Sequence, residues 1–191
     1  MRYATKFLKS KGVKAIISRT IPVETRVSLM RSTRAIREYG AREAHWEGLI
    51  LKEHNLQSGE LVIIGDSKYI AQAISLDEAI GELSWYAVRV NAELKHQKLE
   101  DSLDDDFNIV RKWETINEDL PAYGEIVTAQ MRIRDPGLLQ HTRYIFQVQK
   151  MSGIEMLDRI VFEGNNYRVD AINNIGLEGV VRIQLSEDSR P

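Results

Sequence analysis

The sequence lacks cysteine altogether, which excludes disulfide bonds, thiolate metal sites and cysteine nucleophiles. It also lacks long apolar runs, because none approaches the roughly 18 residues that a membrane-spanning helix requires. The first residues, Met1–Lys9, are basic but have no apolar stretch of the kind found in signal peptides. We therefore expect a protein that is made and used in solution, without a membrane partner.

An overall charge of one sign is missing as well. Charged residues make up 28% of the 191 residues and nearly cancel to a net charge of -2, so no general attraction to nucleic acid is expected. The charge is nevertheless uneven along the chain. Met1–Lys52 holds twelve Lys or Arg against four Glu, a net of +8, whereas Leu99–Leu120 holds eight acids against two bases, a net of -6. One end is basic and the middle is acidic.

Sequence motifs of catalytic and metal sites are also missing. No nucleophile elbow, phosphate-binding loop or dinucleotide fingerprint occurs, and the acidic run from 101 to 106 lacks the glycine and glutamate that a calcium loop needs. The histidines have no metal-ligand spacing and are expected on the surface or in loops: His45, His54, His96 and His141. The sequence thus predicts no enzyme, metal site, cofactor or small-molecule substrate. The alternative is a small hydrolase whose active-site residues are dispersed along the sequence.

What is present is an internal repeat with a period of about 98 residues. Ile64–Ile74 aligns with Phe162–Ile172 without a gap. The identities are Tyr69, Ala73 and Ile74 in the first copy and Tyr167, Ala171 and Ile172 in the second. Further along, Val88–Val90 is aligned with Val181–Ile183, so the distance from the hairpin to this segment is shorter in the second copy. The repeat predicts two copies of one unit that arose by duplication.

Each copy has the sequence signature of a β-hairpin. An apolar strand enters a polar turn, Gly65–Ser67 or Gly164–Asn166, and an alternating strand carrying Tyr69 or Tyr167 leaves it. Further strands are predicted at short, regular intervals: Lys14–Ile17, Gly48–Leu51, Leu61–Ile64, Ser84–Val90, Ile126–Ile133, Tyr144–Val148, Arg159–Phe162 and Gly179–Leu185. Such spacing is typical of β-sandwiches and β-barrels.

The predicted fold is mainly β, with two related small β-barrels or sandwiches in tandem and a short helix or long loop inserted in the first. The inserted helix is predicted at Ala35–Trp46, although Gly40 interrupts it. The acidic segment 99–108 is predicted to be a linker between a first domain at 1–98 and a second at 109–191.

The basic residues of the first copy are its most suggestive charged feature: Arg26, Arg31, Arg34, Arg37 and Arg42. Clustered guanidinium groups bind phosphates or carboxylates, so a solvated face, a protein interface and a nucleic-acid contact all stay open. In the second copy, the turn Asp135–Gly137 is expected to begin a projecting loop through His141. The tryptophans are expected to anchor cores or interfaces.

One part of the second copy resembles a known family. Asp158–Ile172 followed by Gly179–Leu185 is similar to the end of tailed-bacteriophage head-tail joining proteins, the head-closure or stopper family. That family has a strand of the form apolar-x-Gly-x-x-Tyr-x-Val before a terminal alternating strand, and Gly124–Val127 with Tyr144–Phe146 fits the preceding part of its barrel. The resemblance covers mainly Ile109–Leu185.

The resemblance implies a virion component that forms a ring beneath the portal and adaptor, closes the DNA exit and receives the tail. It implies no catalytic residues, and its partners would be further copies of itself, portal or adaptor and tail proteins, and packaged DNA in the lumen. The lumen candidates are Arg134, His141 and Arg143 in the second copy and the segment 34–45 in the first. Members usually have one barrel, so two barrels leave the exact level in the neck or tail open.

Two other functions are alternatives at this point. One is a tail-completion or other tail structural protein, and the other, of a different class, is a nucleic-acid-binding β-barrel. Physical reasoning permits a ring as well, because small barrels expose edge strands that lateral pairing between subunits would cover, although the same features suit an unassembled adaptor. The uneven charge would then provide complementary subunit contacts.

Overall fold

A computed structural model describes residues 3–32, 45–103, 107–174 and 178–190. Two α-helices are described, α1 (Tyr3–Lys11) and α2 (Ala129–Arg134), with short 3-10 helices at Lys52–His54 and Lys150–Ser152. The strands of the first barrel are β1 (Val13–Ser18), β2 (Val23–Arg31), β3 (His45–Ile50), β4 (Leu61–Ile64), β5 (Ser67–Asp77) and β6 (Glu82–Arg89). Those of the second are β7 (Ala92–Leu103), β8 (Ile109–Ile126), β9 (Tyr144–Gln149), β10 (Arg159–Phe162), β11 (Asn165–Asn173) and β12 (Val180–Glu187).

Both sets of strands close into barrels of the same topology. The order around the first is β1-β2-β3-β6-β5-β4, and the order around the second is β7-β8-β9-β12-β11-β10. Each strand of one barrel therefore has a counterpart six strands later in the other. The prediction of two related small barrels in tandem is confirmed.

The pairing registers match between the last three strands of each barrel, β4–β6 and β10–β12. Tyr69 faces Val62 across β4 and β5, and Tyr167, 98 residues later, faces Ile160 across β10 and β11. Both tyrosines are buried. A β-bulge interrupts β5 between Ala71 and Ala73, and another interrupts β11 between Val169 and Ala171, again 98 residues later. A bulge kept at one position in both copies is a specific mark of common origin.

The predicted alignment of the last strands is wrong. Tyr69 pairs with Arg89 and Tyr167 pairs with Glu187, so the separation of 98 residues continues to the end of each barrel. Val181 is consequently the counterpart of Leu83 and not of Val88. Strands with alternating side chains resemble one another in several registers, so the short match misplaced this strand by five residues.

The two repeat hairpins differ in where their glycine stands. Gly65 takes a φ of +56° at the first turn position, whereas Glu163 (φ +50°) holds that position in the second hairpin and Gly164 (φ +76°) follows it. Tight hairpins need positive φ, which glycine adopts at little cost. The turns are equivalent in position, but the glycine has moved by one residue.

Three predicted elements differ from the structure. Leu99 belongs to β7, where it pairs with Trp113, so the first part of the predicted linker is strand. The predicted strand from 126 to 133 is in fact the end of β8 followed by α2, whose N-terminus Thr128 caps by accepting a hydrogen bond from the Met131 N–H at 3.2 Å. The predicted helix at 35–46 lies outside the described residues except for His45 and Trp46, which begin β3.

Each barrel has a core of its own. Trp85 is fully buried in the first, among side chains that include Ile17, Val27 and Ile50. Phe146 is buried in the second, where its ring lies 5.1 Å from that of Phe162. The chain forms two compact units: Met1–Asn91 with Gln149–Met151 and Asn174–Val181, and Ala92–Val148 with Ser152–Asn173 and Arg182–Pro191.

Candidate assembly surface

Closure of the barrels limits where unpaired strand edges can occur. Because each sheet closes on itself, the closed part of each barrel has no open edge, and pairing between subunits would have to use strands that extend past the closure. One part of the sheet does extend past the closure. Strand β10 pairs with β7 only at Lys95–Gln97, and β9 pairs with β8 only at Ala122–Ile126. Two long strands therefore continue beyond their neighbours.

We call this extension the ribbon, composed of 98–103 from β7 and 109–117 from β8. Within the described residues, 98–103 pairs only with 109–114, from Lys98 with Glu114 to Leu103 with Ile109, and Thr115 and Asn117 pair with Gln97 and His96 of β7. Its outer edges therefore carry backbone N–H and C=O groups without strand partners. Such edges are templates for pairing with another chain.

Apolar side chains are exposed on and beside the ribbon. Ile109, Ile116 and Leu99 are 70%, 48% and 41% exposed, and the adjoining Phe107 is 83% exposed. A two-stranded ribbon has no core to cover such side chains, and two strands alone are only marginally stable in water. A long edge lined with exposed apolar groups is therefore a candidate interface.

The ribbon also brings two carboxylates together. A hydrogen bond with Glu114, and then the charge of Glu114, raise the pKa of Glu100 above its usual range. The nearby Lys98 is engaged by Glu155, at 2.9 Å between Nζ and Oε2. Asp101, on the same strand, forms an ion pair with Arg111, at 3.1 Å between Oδ1 and Nε. Glu100 and Glu114 thus form an exposed pair of carboxyl groups, with Lys112 directly opposite Glu100 in the register.

The base of the ribbon is fixed by stacked cations. The guanidinium carbons of Arg159 and Arg190 lie 3.8 and 4.9 Å from the ring centroid of Trp113. Asp188 holds both arginines, accepting from Arg159 Nε at 2.9 Å and from Arg190 Nε at 2.8 Å. Burial alone raises the pKa of Asp188, but these hydrogen bonds outweigh burial and lower it to about 2. These contacts hold Arg190 and Asp188 against Trp113 at the base of the ribbon.

We predict that Asp188→Asn destabilises the fold in a pH-dependent manner. With its pKa lowered from 3.8 to about 2, Asp188 contributes stability that is fully present above pH 3.8 and is lost as pH falls through 2. The difference in unfolding free energy between wild type and variant should reach up to about 2 kcal/mol at pH 6. Urea denaturation at pH 6, 4 and 2 measures it. A difference that stays constant over this range would contradict the role of the carboxylate charge.

The lumen candidates of the second barrel lie in one segment between β8 and β9. Arg134 ends α2, His141 is exposed in the following loop, and Arg143 immediately precedes β9, where it pairs with Glu187. Hydrogen bonds from Arg132 hold this loop in place. Arg132 donates to the carbonyls of Leu139, Gln140 and Thr142, at 3.0, 2.7 and 2.5 Å.

Gln184 of β12 also binds this loop. It accepts from the Leu139 N–H at 2.9 Å and donates to the Gly137 carbonyl at 2.9 Å. Asp135 adds an ion pair with Arg182 at 3.1 Å. The predicted projecting loop is therefore tied to the barrel wall by residues that the sequence analysis did not select, and its three basic residues are presented on an ordered support.

The two described arginines of the predicted basic set, Arg26 and Arg31, do not lie together. Arg26 lies in β2 opposite Lys14 and donates to the Gly12 carbonyl at 2.9 Å. Arg31 ends β2 and places its guanidinium carbon 5.9 Å from the Trp46 ring centroid. Because they are an odd number of residues apart, they point to opposite sides of the strand. Arg34, Arg37 and Arg42 lie outside the described residues.

One histidine was placed wrongly by the sequence analysis. His96 is fully buried in β7, with its Nε2 2.7 Å from Asp158 Oδ2. The strand register shifts on both sides of His96, and its counterpart in the first barrel, also a neighbour of the fourth strand, is the apolar Ile17. No local signal marks this pair, since its members are 62 residues apart.

In the parts of the chain that the structure describes, no three His, Asp or Glu side chains lie close enough together to hold a metal ion. No helix in these ranges is both long and apolar enough to cross a membrane.

Comparison with known proteins gives few relatives. No family model and no curated protein matches the sequence. Among solved structures, protein SF1141 from Shigella flexneri 2a is 16% identical over 53% of this chain and 96% of its own, with a TM-score of 0.44. MrkH from K. pneumonia is 6% identical over 98% of this chain and 82% of its own, with a TM-score of 0.21. Likeness at this level carries no argument about function.

Proposed function

We propose that this chain is a structural component of a tailed-phage virion, a head-tail connector or neck protein that forms a ring between the portal or adaptor and the tail. The observation that carries the proposal is the ribbon, because it combines unpaired strand edges with exposed Ile109 and Ile116. A surface of this kind is suited to pairing with another protein chain.

The resemblance to head-closure proteins supports the same proposal. The residues that carry it, from Asp158 to Leu185, lie in or beside β10, β11 and β12 and are joined in sequential hairpins. A contact between two different surfaces of one chain generates a ring when the rotation between subunits closes. A tail-completion role uses the same surfaces.

The experiment examines the purified chain between about 1 and 100 μM by sedimentation velocity and negative-stain microscopy, a range spanning typical assembly affinities. The matched variants are Ile116→Lys in the ribbon and Ile133→Lys in α2, both at exposed isoleucines. We expect rings for the wild type and for Ile133→Lys, and loss of rings for Ile116→Lys.

Two results would overturn the proposal. The first is a wild-type chain that stays monomeric throughout this range. The second is a monomer that binds duplex DNA with an affinity that falls steeply as salt rises, which would favour a nucleic-acid-binding barrel instead.

A further inference from the structure

The first barrel carries a pair of like charges that its own fold does not explain. Lys14 of β1 and Arg26 of β2 stand directly opposite each other in the strand register. Like charges in this position destabilise a sheet. Neither side chain forms an ion pair with any described residue, although Glu24 lies two residues from Arg26 along β2. A local cost of this kind is expected where a surface serves a function.

The two cations line an open groove with a volume of about 590 Å³. Ile16 and Ile63, which face each other across β1 and β4, supply an apolar wall. Glu24, which faces Ile16 in the register and lies on the same face of β2 as Arg26, also lines the groove. The groove therefore offers two cations, one carboxylate and an apolar wall, and this net positive lining suits a partner that carries carboxylates beside an apolar side chain.

The ribbon has the complementary features. Glu100 and Glu114 crowd two carboxylates together, and the exposed Ile116 follows Glu114 by two residues on the same face of β8. Lys112, which stands opposite Glu100, forms no ion pair within the described residues. In the groove, Ile16 likewise follows Lys14 by two residues. The charged and apolar groups are thus spaced alike on both surfaces, about 7 Å apart along a strand.

We propose that the groove of one copy receives the Glu100–Glu114 face of the ribbon of a second copy. Lys14 and Arg26 bind the two carboxylates, and Ile116 packs against Ile16 and Ile63. This inference rests on the proposed ring, for which it names the two contacting surfaces. Since each chain carries one groove and one ribbon, the contact runs head to tail and repeats around a closed ring.

A charge exchange between the two surfaces tests the inference. The groove variant is Lys14→Glu with Arg26→Glu, and the ribbon variant is Glu100→Lys with Glu114→Lys. Each variant alone opposes like charges, so we expect its self-association to weaken by more than about 100-fold. In an equimolar mixture every groove meets a ribbon of opposite charge, and we expect assemblies that contain both variants, detected by native mass spectrometry.

Two controls accompany the exchange. Lys6→Glu with Lys150→Glu makes the same change of net charge at exposed positions outside the groove, and it should assemble like the wild type. Arg26 also holds the Gly12 carbonyl, so Lys14→Glu alone is measured beside the double variant, with circular dichroism as the check of folding.

The outcomes separate this inference from the proposed function. If the wild type forms rings but the groove and ribbon variants also do, or if mixing them restores nothing, the pairing of groove with ribbon is wrong and the ring stands. If the wild type forms no rings, the proposed function fails and this inference fails with it.

Discussion

Replacing Asp158 with alanine is expected to lower the free energy of unfolding of the second barrel by about 3–5 kcal/mol. Asp158 Oδ2 lies 2.7 Å from His96 Nε2 and accepts a hydrogen bond from the Glu155 N–H at 2.8 Å. Its removal leaves a fully buried imidazole without either partner, since His96 Nδ1 already has none among the described residues. A buried polar group left unpaired bears its whole desolvation cost.

The first barrel provides the matched control. Glu60 holds the corresponding position, where it accepts from the Gln57 N–H at 2.8 Å and pairs with Arg19 at 2.5 Å. Because that ion pair is partly exposed, Glu60→Ala should cost only about 1 kcal/mol. Urea denaturation gives both costs, and hydrogen exchange assigns each loss to a barrel. Equal costs for the two variants would contradict the importance of the buried histidine.

Trp85→Ala is the second change expected to have a large effect, about 3–5 kcal/mol on the first barrel. Trp85 is among the largest fully buried side chains described, and it packs in a cluster with Val27, Ile50 and Tyr69. The surrounding strands belong to a closed barrel, which limits how far the walls can collapse into the vacated space. Thermal or urea denaturation measures the loss.

Trp85→Phe separates volume from polarity at the same site. The indole Nε1 is buried without a hydrogen-bond partner among the described residues. Phenylalanine removes this unsatisfied donor, a gain of about 1–3 kcal/mol that offsets most of the loss of ring volume. We expect a net change within about 1 kcal/mol. A Trp85→Phe variant as unstable as Trp85→Ala would show that the indole makes a contact that the phenyl ring cannot replace.

The repeat and its hairpins were accessible from sequence because their signals are local. Tyr69 and Tyr167 stand at fixed distances from turns rich in glycine, aspartate and asparagine. The alternation of side chains after each turn then identifies the strand. The end of β7 gave no such signal. Both faces of a two-stranded ribbon reach solvent, so the neighbouring residues Glu100 and Asp101 can point to opposite faces and both stay solvated. A strand of this kind therefore has the same charged composition as a linker.

The candidate surfaces depend on contacts that sequence reasoning could not place. Lys14 and Arg26 become a pair only when the β1–β2 register is known, and Glu100 meets Glu114 only across the β7–β8 register. His96 is polar in a strand position that is apolar in the first barrel, and its burial makes sense only beside Asp158. Net charge along the chain did indicate which segments would hold these pairs, but not which residues.

The closed strand order has a consequence for how the chain folds during synthesis. The first barrel has all of its strands once Arg89 has been made, whereas the second must wait for β12, which ends at Glu187. The two sets of strands share their topology, so a nascent β12 and a still-unpaired β6 would compete for the same kinds of neighbours. Early closure of the first barrel withdraws its strands from that competition, and vectorial synthesis thereby protects a duplicated fold from exchanging its halves.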